Sequence, residues 1–109
     1  MGLYRAFVQS PVVTNNFPNA SSVTEAALTT TASVILANRP ANNRRGFAIE
    51  NDGTVAMVFA YGATVTAAAR SIRLEPGDYF EDTLNWQGAV AAMSVGGAGA
   101  ANITELTIA

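Results

Sequence analysis

Hydrophobic and polar positions begin to alternate with period two at Gly46, and they continue in short bursts nearly to the C-terminus. In Gly46–Asn51, Phe47 and Ile49 fall on one face and Ala48 and Glu50 on the other. Asn51-Asp52-Gly53 predicts a tight turn, because Asp-Gly tolerates the positive φ angles of two-residue hairpins. The returning strand has Val55, Met57, Phe59 and Tyr61 on one face and Ala56, Val58 and Ala60 on the other, so both faces call for cover. Ile72 and Leu74 point inward and Arg73 outward, and Pro76-Gly77 reverses the chain into Tyr79–Leu84. Two further bursts, 88–95 and 102–108, are separated by a glycine-rich bend at 96–100.

The N-terminal part reads differently. Residues 22–37 carry two signals: Ser22 and Glu25 fit a helix capping box, whereas Thr29, Thr30 and Thr31 favour extended structure. The expectation is a strand from about Thr31 to Ala37, with a short helical turn before it left open. The following segment to Arg45 is a loop by composition, and Pro40 disfavours helix at Arg39. Residues 1–22 contain Pro11, Pro18, Asn15, Asn16 and Asn19, and their apolar positions keep no helical period. They read as an extended arm whose apolar side chains need cover from the domain's own sheet or from a neighbouring subunit.

Seven or eight short strands at spacings near ten residues predict an all-β fold, an antiparallel β-sandwich or jelly-roll-like barrel over 23–109 with an extended N-terminal arm. The length of 109 residues, half of them hydrophobic, suits one compact domain. Cysteine and histidine are both absent, which removes disulfides, thiolate and imidazole metal ligands and the Ser-His-Asp triad. The expectation is a protein that is not an enzyme and takes no cofactor. Six Arg and no Lys against eight acidic residues give a net charge of −2 without a basic stripe, so no nucleic-acid partner is expected. No run of 18 apolar residues, no signal-type start and Ala6 where myristoylation wants Ser or Thr leave no membrane partner expected either.

A few clusters could carry chemistry. Glu75, Asp78, Glu81 and Asp82 crowd a Pro-Gly turn and offer oxygen ligands for Ca²⁺ or a carboxylate pair for glycoside hydrolysis. Strand alternation sets Glu81 and Asp82 on opposite faces, so a solvated loop with charges that blunt a sheet edge accounts for them better. The glycines at 96, 97 and 99 lack phosphate-loop or dinucleotide spacing. Arg44 and Arg45 open a strand as paired guanidinium groups; one is expected to pair at home with Glu50 or Asp52, the other to meet a partner's carboxylate. Trp86, the single Trp, covers an end of the core or anchors an interface.

The stretch from Asn38 to Glu105 resembles small β-sandwich capsid decoration (cement) and accessory proteins of tailed bacteriophages. The likeness is carried by Arg44–Gly53, Phe59-Ala60-Tyr61-Gly62, Leu74-Glu75-Pro76-Gly77-Asp78 and Gly88-Ala89-Val90-Ala91-Ala92. The resemblance implies a homotrimer on the outer capsid surface of the virion, made in the host cytoplasm, that bridges capsomers of the major capsid protein. The arm fits a partner-reaching role by position and composition. The residues expected to bind partners are Leu3, Tyr4, Arg5, Phe7, Phe17, Arg44, Arg45 and Trp86. A second expectation is a carbohydrate- or receptor-binding module of a phage fibre or tail, with Tyr61, Tyr79 and Trp86 as a stacking platform. A third, a cupin-type enzyme, runs against the missing histidines.

Overall fold

A computed structural model describes residues 17–108. Eight strands follow one another: β1 (Ala20–Leu28), β2 (Ser33–Leu36), β3 (Arg44–Asn51), β4 (Met57–Tyr61), β5 (Ile72–Leu74), β6 (Tyr79–Asp82), β7 (Val90–Ser94) and β8 (Gly99–Thr107). They form two four-stranded antiparallel sheets, in the orders β1-β8-β3-β6 and β2-β7-β4-β5. The pairings β1·β8, β2·β7, β3·β6 and β4·β5 are nested, as in one long hairpin whose bend lies between β4 and β5. Rolling that hairpin adds β3·β8 and β4·β7. The result is the jelly-roll topology, in which the chain crosses between sheets at most of its turns.

The alternation read from the sequence sets the inner faces. Phe47, Ile49, Ala101 and Ile103 from one sheet meet Met57, Phe59, Leu74, Val90 and Ala92 from the other, closed by Leu28 and Leu36. Each large side chain buried this way contributes about 1.5–3 kcal/mol by the transfer scale. The second sheet is covered outside as well: Val65, from the 62–71 connection, packs on Val58 and Ala91. This satisfies the two-sided apolar pattern of β4.

Four local expectations change. Ser22 and Glu25 lie in β1, paired with Glu105 and Asn102, so strand pairing replaces the capping box. β1 begins at Ala20, inside the span read as arm. Asn51-Asp52-Gly53 does not close a hairpin, because β3 and β4 belong to different sheets. It forms a corner held by Asn51, whose buried amide donates to the Val55 and Leu74 carbonyls, both at 2.9 Å, while its Oδ1 accepts from Gly53 N. Finally, β8 starts at Gly99, within the glycine-rich bend.

Candidate functional site

The two ends of the sandwich differ. Short turns at 29–32, 52–56, 75–78 and 95–98 close one end. The other carries the longer connections 37–43, 62–71 and 83–89, together with the start of β1 and the end of β8. A bulge shapes this second end: the β3–β8 register shifts between Arg44 and Gly46, with Arg45 as the extra residue. The shift reverses the alternation ahead of Phe47, so Arg44 turns inward and Arg45 stays at the surface.

Arg44 is 0% exposed. Its Nε donates to Glu105 Oε2 at 2.7 Å, and its terminal nitrogens donate to the carbonyls of Trp86 (3.0 Å), Gly88 (2.7 Å) and Ala37 (2.5 Å). Arg39 completes the cluster with a two-point contact to Glu105, Nε to Oε2 at 2.8 Å and Nη2 to Oε1. Hydrogen bonding from Arg39, reinforced by the Arg44 guanidinium, holds the Glu105 carboxyl below its ordinary pKa against the opposing effect of burial. A buried cation with this many acceptors ties two connections, 37–43 and 83–89, to β8.

Beside it, Trp86 caps the core. Its indole meets the Tyr61 ring edge-on at 5.5 Å and donates from Nε1 to the Ala89 carbonyl at 2.9 Å. Tyr61 in turn donates its hydroxyl to Asp82 Oδ1 at 2.9 Å, and burial followed by this bond pushes the phenol up to about 12. Asp82 also accepts from the Leu84 and Trp86 amides, so the carboxylate organises the 83–89 connection.

The outer face of β1-β8-β3-β6 carries a groove of about 480 Å³. Ala48 and Thr104 form its shallow floor, Tyr79 and Leu106 supply apolar surface, and Arg45, Glu81 and Asn85 supply polar groups. Tyr79 is 58% exposed, and its phenol is raised by partial desolvation and by neighbouring Glu81. A small floor flanked by a cation, the carboxylates of Glu81 and Asp82 and an exposed aromatic suits a protein segment better than a reacting small molecule.

The expected site residues therefore separate. Arg44 is corrected from a contact residue to a buried structural one, and its home partner is Glu105 rather than Glu50 or Asp52. Arg45 is at the surface and lines the groove, where its guanidinium donates to the Asn42 and Arg44 carbonyls. Trp86 covers the core end, and Phe17 is 78% exposed. Leu3, Tyr4, Arg5 and Phe7 lie outside the described residues. The stacking platform does not assemble, because Tyr61 and Trp86 pack against the core while Tyr79 stands on the outer face. The carboxylates at the Pro-Gly turn also disperse: Asp78 accepts from Glu75 N at 2.9 Å, whereas Asp82 faces Tyr61. Among the described residues no three His, Cys, Asp or Glu side chains converge on a metal position.

Sequence reasoning missed Glu105. The signal was present, since Glu105 shares the inward parity of Ile103, and a carboxylate on a core face requires a cation.

No family model and no curated protein matches the sequence. Among solved structures, the chain is similar to an HTH_3 family transcriptional regulator from Vibrio cholerae, with a TM-score of 0.60 and 11% identity, covering 85% of this chain and 48% of that one. The chain thus spans about half the length of that regulator. It is also similar to a structure of the disulfide-linked pili of Bacillus endospore appendages (TM-score 0.48, 17% identity, 83% and 87% covered). A third likeness is to PirA (TM-score 0.49, 16% identity, 80% and 95% covered). At 11% identity the first likeness shows a shared fold and nothing about function.

Proposed function

We propose that this chain is a virion structural protein, a capsid decoration protein that seats as a homotrimer on the outer surface of a tailed-phage head and bridges capsomers of the major capsid protein. The observation that carries the reading is the asymmetry of the sandwich: the central strands of one sheet are covered on both faces, while the described residues leave the outer face of the other, with its groove, open. The charged groups at the loop-rich end serve architecture, with Arg44, Arg39 and Glu105 bonded to one another. The described chain begins at that same end, with Phe17 leading into the start of β1. Together with the resemblance over Asn38–Glu105, these features favour gripping protein surfaces over turning over a substrate. Binding that prefers the assembled shell stabilises it by mass action, and a Kd of ~1 μM per site supplies about 8 kcal/mol at the 1 M reference state.

Pelleting tests this. Purified chain is mixed with mature heads from the genome that encodes it, prepared without the chain, and the heads are sedimented. Saturable co-sedimentation is expected, lost on deletion of residues 2–16 with the far-ultraviolet β spectrum preserved. Heads that pellet without the chain would remove the proposal, and a monomer in sedimentation at micromolar concentration would remove the trimer.

A further inference from the structure

The two sheets present four edge strands, and three of them carry features that discourage pairing. β5 has three residues and an exposed Arg73; β6 has four and includes Glu81 and Asp82; β2 has four and bulges between Val34 and Leu36. Short length, charge and bulges are the usual means of blunting a sheet edge. β1 differs from all three. It runs nine residues in unbroken register with β8, contains no Pro, and carries Glu25 as its one charge. Ser21–Glu25 are exposed on both faces, and Val23 is 70% exposed. Its β8 side is bonded, while along its other side Ser21–Ala27 make no backbone hydrogen bond to another described element.

We infer that the β1 edge is an interface for β1 of a second copy of this chain, paired antiparallel about a two-fold axis at Val23. An isologous contact requires an edge complementary to itself, and the sequence of β1 meets that condition in this register. Val23 faces Val23 of the second copy, Ser22 faces Thr24, and Glu25 faces Ser21, so the one charge never meets itself. The β-branched and hydroxyl pairs are of the kinds that stabilise neighbouring antiparallel strands. The two four-stranded sheets then become one continuous sheet of both copies. On a trimer of the kind proposed above, the edges would join copies of different trimers, so the inference stands or falls separately from attachment to a shell.

The absence of cysteine makes the test direct. V23C in the full chain should form a disulfide dimer under mild oxidation at least tenfold faster than A67C, placed in the exposed 62–71 connection. Mixed S21C and E25C chains should give heterodimers, while either alone stays reduced. V23K, a change at an exposed position, should halve the sedimenting mass with an unchanged far-ultraviolet spectrum. Equal rates for V23C and A67C, or homodimers of E25C as fast as those of V23C, would overturn the inference. So would a several-fold rise in V23C linking on deletion of residues 2–16, which would mean that the chain's own N-terminal segment occupies the edge.

Discussion

Glu105 is the residue on which the loop-rich end turns, because it faces the core and is neutralised there by Arg44 at 2.7 Å and by Arg39. Its folded pKa lies below the unfolded one, so the stabilisation is complete above the ordinary carboxylate range and is lost as pH falls through the lowered value. E105Q removes the charge and leaves Arg44 buried without its carboxylate, a change expected to cost about 3 kcal/mol near neutrality. Urea melts of both proteins from neutral to acid pH should therefore show a wide gap that closes as the native Glu105 protonates. Coincident curves at all pH values would mean that the cluster adds nothing to stability. The Glu105 role was readable from parity with Ile103, but its partner was not. Arg44 reaches it only because the bulge at Arg45 turns the side chain inward, and a bulge leaves no mark in a period-two pattern.

At the scale of elements, alternation identified which residues of β3, β4 and β5 face the core, because each strand's burial follows from its own sequence. Connections were harder to read. Asp-Gly is favoured in hairpins, yet here the same residues turn a corner between sheets, since the choice depends on which strands flank the turn and not on the turn's own chemistry. What requires Gly53 is crowding: a Cβ there would lie 2.7 Å from the Ala100 amide nitrogen, which Asp52 and β8 hold in place. Backbone cannot step aside as a flexible side chain can. G53A should lower stability by about 2 kcal/mol, within the range for overpacking, read as a reduced denaturation midpoint with the m-value unchanged. A midpoint equal to the parent's would show that the corner has room after all. The groove and its residues were legible only in part, since Arg45 was a candidate while Ala48, Thr104 and Leu106 carry no chemical signal until three strands set them side by side.

For the whole molecule, the nested pairing places the most distant strands of the described residues in the most extensive contact. Ala20 pairs with Thr107, and the β1·β8 ladder runs from there to Leu28 and Gly99. Such a ladder must close nearly the whole described chain into a loop before its bonds and buried side chains offset the lost entropy. Folding on the millisecond-to-second scale of non-local β proteins is the expected consequence. The topology also says how to relieve it. The start of β1 and the end of β8 are neighbours, so joining residue 17 to residue 108 through a short glycine linker and opening the chain at Ala67 turns β1·β8 into a hairpin. The same cut makes the three-residue β5 the far partner of β4, a smaller ladder to close over distance. The permutant should keep the far-ultraviolet spectrum of the parent and refold about tenfold faster in stopped-flow dilution from urea, the direction set by lower contact order. A native spectrum with an unchanged or slower refolding rate would show that closing β1 onto β8 is not the step that limits folding, and that the barrier lies instead in docking one sheet upon the other.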